Sequence, residues 1–284
     1  MGKKTISFIG AGRVGMALGK LLAERGGSAG LAVVGYESRT AASAERAHAF
    51  VGGQVFPTAV EAAQAADIVF VTTQDGVISQ VWEELAAAAR AGRLSLEGKT
   101  ICHCSGALPS DLFEGAQDLG ADVATVHPLY AVSSGEVWRE LADAWFCVEG
   151  PGAAADFLAQ AWKDMGLQVE SIHTSDKVRY HAAAVMASNL VVGLYSRAAA
   201  ELELCGFSPQ AAERALVPLF LGNAHHLATD GVERALTGPA QRGDTKTIEA
   251  HLAVLDGDDR KIYQLLTKEL LDIAKRRRAR EAEA

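Results

Sequence analysis

Two groups of residues in this sequence have the types and spacing that chemistry needs. The first is a glycine cluster, Gly10, Gly12 and Gly15, inside "ISFIGAGRVGMALGKLL". A β-rich apolar run precedes it, and a run with Val14, Leu18, Leu21 and Leu22 at helical spacing follows. With 28 glycines in 284 residues the spacing alone is a weak signal; strand, glycine turn and helix in that order turn it into a phosphate-binding arrangement. Gly10 permits the sharp bend, Gly12 lets the backbone close on a pyrophosphate and Gly15 lets the helix pack on the strand. Ala11, Arg13 and Val14 belong to the same turn, whose helix offers free N–H groups to an anion. The second group is His181, Ser188 and Asn189, which interrupt the apolar run "HAAAVMASNLVVGLYSRAAAELEL". On one continuous helix His181 and Ser188 lie about 20° apart and Asn189 about 80° from His181, a polar stripe. Buried polar groups need partners, so the stripe faces a cavity or another polar element, and an imidazole there suits proton transfer near neutral pH. Along the axis His181 and Asn189 are about 12 Å apart, too far to hold one small carbonyl together.

Elements that position these groups are legible from periodicity. Strand candidates are "TISFIG", "LAVVGY", "DIVFVTT", "KTICHCS", "DVATVHP", "WFCVEG" and "LQVESI". Helical runs such as "TAASAERAHAFVG", "DGVISQVWEELAAAARAG" and "GAAADFLAQAWKDMG" separate most of them. That alternation predicts an α/β fold: a Rossmann-type, mainly parallel sheet, followed by an all-α C-terminal domain. The boundary is expected near 173, giving a dinucleotide-binding domain over 1–173 and a helical substrate or dimerisation domain over 174–284. Helices are expected over 175–205, 208–230, 244–256 and 258–281. The first, apolar almost all round, is expected to be buried in a large core or between subunits.

Ligands of such sheets lie beyond the carboxyl ends of the strands. Those ends carry Thr72, Thr73 and Gln74, then Ser105 and Gly106, then His127 and Pro128. Ser105 suits substrate positioning or an ordinary turn equally; His127 rivals His181 as the acid. At the end of the second strand, "GYESRT" offers Glu37 and Arg39. Alternation points Glu37 away from Ser38, so Ser38 takes the ribose position and Arg39 and Thr40 follow as donors to a 2′-phosphate. NADP is therefore favoured over NAD.

Composition narrows the class. The chain is 49% hydrophobic and 22% charged, with net charge −8, which speaks against a nucleic-acid partner. No apolar run is expected to span a bilayer, and the first strand starts too early to leave room for a signal peptide. Four sparse cysteines fit a reducing cytoplasm. In "CHC", Cys102 and Cys104 face one side and His103 the other, so core cysteines are expected rather than a metal site. In "RGD", Asp244 is expected to cap the helix "TKTIEAHL" after a turn at Gly238 and Pro239, leaving Arg242 to reach an anionic substrate or a partner subunit.

"FIGAGRVG" followed by "SRT" resembles the superfamily of 3-hydroxyacid dehydrogenases, 6-phosphogluconate dehydrogenase, ketopantoate reductase and pyrroline-5-carboxylate reductase. More narrowly, "HCSGALPSDLF", "TVHPLYAV", "YHAAAVMASNLVV" and "GPAQRGDTKTIEAHL" resemble a bacterial family of Rossmann-like NADP oxidoreductases with a C-terminal domain of unknown function. The resemblance implies NADP binding, a small-molecule substrate and a homodimer formed through the helical domain. It places Ser105 in a substrate-binding Ser-Gly loop and Asn189 at a substrate-binding asparagine, and it puts Val185 where the related dehydrogenases carry a catalytic lysine. Valine transfers no proton, so His181 is expected to take that role. The function expected is hydride transfer to or from a carbonyl or imine carbon, the alternative being a sensor that binds NADP(H) without turnover.

Overall fold

The computed structural model describes residues 3–283. They form two compact units, Met1–Ser188 and Asn189–Ala284. The first begins with β1 (Lys4–Ile9), α1 (Arg13–Arg25), β2 (Leu31–Glu37), α2 (Ala41–Val51), β3 (Gln54–Val55), α3 (Ala59–Gln64), β4 (Ile68–Val71) and α4 (Asp75–Arg90). β5 (Thr100–His103), β6 (Asp122–Pro128), β7 (Trp145–Glu149), α5 (Gly152–Asp164), β8 (Gln168–Ser171) and α6 (Lys177–Ala187) complete it. The strands make one sheet in the order β3-β2-β1-β4-β5-β6-β7-β8, parallel except between β6 and β7. The seven expected strands are all present, and β3, two exposed residues without an apolar run, is the addition.

Both faces of the sheet are covered, which is why "IVFV" of β4 is buried at every position. On one face Phe8 stacks on Tyr36 and Phe70, and Trp162 of α5 meets Phe70 and Phe146. On the other, Trp82 of α4 packs edge-on against Phe113. Cys102 and Cys104 join the first layer while His103 turns to Phe113, as the alternation of "CHC" requires. Among the described residues no group of three or more His, Cys, Asp or Glu is placed to hold a metal.

The second unit is helical: α7 (Asn189–Leu204), α8 (Pro209–Ala235), α9 (Gly238–Arg242), α10 (Thr245–Val254) and α11 (Gly257–Glu283). Arg197 is paired with both carboxylate oxygens of Asp259, and Tyr195 Oη donates to the Glu213 carbonyl at 2.6 Å. Asp244 does cap α10, accepting from Thr247 N at 3.1 Å and Thr247 Oγ1 at 2.7 Å, but Gly238 and Pro239 open a short helix rather than a turn.

Two expectations about the segment after β8 need correction. The helix expected over 175–205 breaks at Ser188 (φ −127, ψ −85), so the change to all-helical structure follows β8 while the first compact unit runs on to Ser188. A window within Thr174–Leu204 reaches a mean hydropathy of 1.2, apolar enough to cross a bilayer where none was expected. The break leaves pieces of 11 and 16 residues, each short of the roughly 20 a span needs. Of the two expected coverings, a large core or a subunit contact, the exposed side chains leave the second open. Val178 is 72% and Val192 71% exposed, and Met186 and Leu190 are exposed too.

Candidate functional site

β1 ends in a turn that only glycine can make. Gly10 has φ +108, and a Cβ there would lie 2.8 Å from the backbone of Thr72 and Thr73. Its N–H donates to the Glu37 carbonyl at 2.9 Å, and its carbonyl accepts from Thr72 Oγ1 at 2.6 Å. Gly15 seats α1 against the same two groups. Gly12 is different: a Cβ there meets nothing within 4 Å. It caps α1 without any side-chain hydrogen bond, so the N–H groups of the first turn remain available to another acceptor. An open Cα at the tip of a helix is what a diphosphate requires.

This turn borders a cleft of about 510 Å³. Of the residues singled out from the sequence, Gly10, Ala11, Gly12, Arg13, Ser38, Arg39, Thr40, Thr72, Thr73 and Gln74 line it. Val14 and Gly15 do not; they lie on the packed side of α1, with Val14 half-buried and Gly15 buried. Ser43, Arg46 and Glu37 line it as well. Thr40 Oγ1 donates to Ser43 Oγ at 2.8 Å, and Arg46 Nη2 does so at 2.9 Å. The spacing of Thr40, the N-cap of α2, and Ser43 and Arg46 within it, each three residues on, is the signal that sequence reading left unused. Glu37 was expected to point away, yet the cleft wraps the strand end and takes in both faces; burial, with Glu84 adding, raises its carboxyl above the usual range. Three arginines (Arg13, Arg39, Arg46) and one carboxylate (Glu37) thus line the same cleft. Buried Thr73 Oγ1 has no hydrogen-bond partner in the protein. The open Gly12, the uncapped helix and this hydroxyl fit a dinucleotide.

A second cluster forms where β5 and β6 end. His127 Nδ1 is 2.7 Å from Tyr180 Oη, and the His127 and His181 rings stand edge to face, 6.4 Å apart. A Cβ at Gly106 would fall 2.6 Å from His181 Cδ2 and 2.8 Å from His127 Nε2, so glycine is what lets both imidazoles lean over this loop. Burial, then the neighbouring Lys177, His181 and His103, holds His127 down at about 4, a neutral ring at physiological pH. Burial pushes the Tyr180 phenol up, so it keeps its proton. His103, wholly buried, bonds the Pro109 carbonyl at 3.1 Å and accepts from Ser105 N at 3.2 Å; burial lowers it too, to about 4.

Ser105 Oγ donates to Asp75 at 2.8 Å and accepts from Ala107 N and Leu108 N. Its hydroxyl therefore shapes the loop. The polar stripe does not survive, because the break at Ser188 ends the helical periodicity that joined His181 to Ser188 and Asn189. Asn189 opens the second unit and keeps only its argument from resemblance. Sequence reading missed Lys177 and Tyr180, although with His181 they occupy i, i+3 and i+4 of one helix face.

Residues 5–96 match the family model described as NADP oxidoreductase coenzyme F420-dependent, and residues 144–270 match the Domain of unknown function (DUF2520). Both halves of the resemblance read from the sequence are borne out. No curated protein matches the chain. A solved protein of Thermotoga maritima shares the fold over 96% of this chain and 99% of its own, with 24% identity and a TM-score of 0.75. A pyrroline-5-carboxylate reductase of Coxiella burnetii covers 97% and 98%, with 16% identity and a TM-score of 0.62. An imine reductase of Myxococcus stipitatus in complex with NADP+ is matched over 96% of this chain and 93% of its own, with 19% identity and a TM-score of 0.56. The fold is that of nicotinamide-dependent reductases.

Proposed function

We propose that the chain is an NADP-preferring oxidoreductase acting on a carbonyl or imine carbon of a small substrate. The observation that carries this is the cleft, in which an uncapped helix start and an open Gly12 stand beside Arg39, Arg46, Thr40 and Ser43. A guanidinium fork matches phosphate oxygens, so the two arginines favour a 2′-phosphate over a bare ribose. A bound nicotinamide supplies or accepts the hydride.

The protein's own part is orientation and proton handling. In this reading Tyr180 Oη–H, 2.7 Å away, is the donor to His127 Nδ1, which leaves the ring proton on Nε2, beside Gly106. A neutral imidazole there polarises a substrate oxygen or nitrogen by hydrogen bonding, as a fixed donor in a partly dry site. His181, half-buried across Gly106, is the group proposed to deliver the proton. The exposed apolar faces of α7 and α8, with Leu190, Val192, Leu219 and Leu221, favour a second copy of the chain as the partner that covers them.

Calorimetric titration with NADPH and NADH tests the cofactor reading; NADPH is expected to bind at least about tenfold tighter. NADPH oxidation is then followed across keto acids, cyclic imines and aldehydes. Absence of binding by either coenzyme overturns the proposal. Binding with no turnover favours the sensor.

A further inference from the structure

Two polar contacts one helical turn apart tie α6 to β6. Lys177 Nζ donates to Thr125 Oγ1 at 2.6 Å, and Tyr180 Oη meets His127 Nδ1 at 2.7 Å. Lys177, Tyr180 and His181 share a helix face at i, i+3 and i+4, while Thr125 and His127 share a strand face at i and i+2. Lys177 is fully buried, at 0% exposure. A buried ammonium is unfavourable unless it is held by partners, and an apolar residue of similar length often serves stability as well. Its presence here points to a demand for placement.

The partners form a chain. Thr125 Oγ1, having accepted from Lys177, donates to Glu149 Oε2 at 3.3 Å. The same buried carboxylate accepts from Ser110 N at 2.9 Å, Ser110 Oγ at 2.8 Å and Thr174 Oγ1 at 2.7 Å. Glu149 therefore joins the loop that carries Gly106, the strand that carries His127 and the entry to the helix that carries His181. Each bond in the chain runs from a donor to a free lone pair, so the network is satisfied in one sense only.

We infer that Lys177 is a positioning residue, which through Thr125 and Glu149 clamps the first turn of α6 onto β6 and so sets the Tyr180–His127 hydrogen bond and the approach of both imidazoles to Gly106. For its effect on turnover the inference rests on the hydride-transfer reading above; the clamp itself does not. Lys177 is wholly buried and its ammonium is spent on Thr125. It acts through the helix it anchors and through its charge, which stands near His127 together with Tyr180 and His181 of α6, His103 of β5, Cys104 just after it, Asp75 of α4, and Cys147 and Glu149 of β7.

Three variants of the full chain test it. Thr125→Val keeps the shape of threonine without the hydroxyl, Thr125→Ser keeps the hydroxyl, and Lys177→Met keeps length without charge. Histidine-labelled protein is followed by nitrogen and carbon NMR. Wild type is expected to show His127 as a single Nε2–H tautomer. Thr125→Val and Lys177→Met are expected to show mixed tautomers, Lys177→Met with an upward-shifted His127 titration, and Thr125→Ser to match wild type. Where a turned-over substrate is found, kcat drops about tenfold or more in the first two while KM for NADPH stays within about twofold. His127 spectra of Thr125→Val and Thr125→Ser both equal to wild type overturn the clamp, whether or not any substrate is reduced and whether or not Lys177→Met folds. Altered spectra with no turnover leave the clamp standing and count against the reaction instead.

Discussion

Gly12 and Gly15 sit three residues apart in one turn, yet alanine is expected to damage each in a different way. At Gly12 a Cβ meets no protein atom within 4 Å, and φ −81, ψ −170 is open to any residue. Gly12→Ala therefore changes stability by less than about 0.5 kcal/mol. At Gly15 a Cβ falls against the Gly10 carbonyl and 2.6 Å from Thr72 Oγ1, roughly 1 Å inside ordinary contact. Those two atoms are bonded to each other at 2.6 Å, so neither retreats without losing its partner. Overpacking of this kind costs about 1–3 kcal/mol, and the lost hydrogen bond adds about 1 kcal/mol. For a unit of this size that lowers the melting temperature by roughly 4–16 °C. Cofactor affinity runs the other way in sensitivity. The methyl of Gly12→Ala stands where the diphosphate must approach, and NADPH affinity is expected to fall at least about tenfold, ~1.4 kcal/mol. Urea and thermal unfolding without cofactor measure the first effect, calorimetry the second. If Gly12→Ala binds NADPH like wild type, no diphosphate lies on this turn and the cofactor assignment fails. If Gly15→Ala melts with wild type, the close seat of α1 is not what the glycine is for.

Replacing Arg39 and Arg46 together with alanine should erase the preference for NADPH while leaving NADH affinity within about threefold, checked by parallel titrations; a preserved preference removes the 2′-phosphate assignment. Ser7 is fully buried with an unpartnered hydroxyl, so Ser7→Ala should be neutral or stabilise by up to about 1 kcal/mol in urea melts, and a clear loss would reveal a partner for that oxygen. His103 and His127 are both held at about 4 by burial, against about 6.5 in an unfolded chain. Between those values the unfolded chain carries protons that the folded one lacks, so stability present above about pH 6.5 is lost progressively toward about pH 4. Urea midpoints at about pH 7 and about pH 5 should differ in that sense, with His127→Gln reducing the difference; a midpoint that rises on acidification contradicts it.

Much of this architecture was legible because its determinants are local. A strand, a tight glycine turn and a helix are set by residues within a few positions of one another, so the phosphate-binding turn, seven strands and the capping role of Asp244 followed from spacing and side-chain type. The "SRT" after β2 likewise announced Arg39 and Thr40. Arg46 was equally local, two turns into α2, and was overlooked because an exposed arginine on a helix carries no distinguishing pattern of its own.

Other features are absent from any window of the sequence. Whether His181 shares a face with Ser188 and Asn189 depends on one residue's backbone, Ser188, and nothing in "MASNL" requires the helix to stop there. The bond between Lys177 and Thr125 spans 52 positions and that between Tyr180 and His127 spans 53. Such contacts are fixed by the register in which α6 settles on the sheet, a result of packing the whole unit. The amino-acid sequence by itself determined a dinucleotide turn and the sheet that presents it. Only tertiary structure decided which charged group is buried beside the imidazoles, because a lysine's burial is a property of what surrounds it and not of its neighbours along the chain.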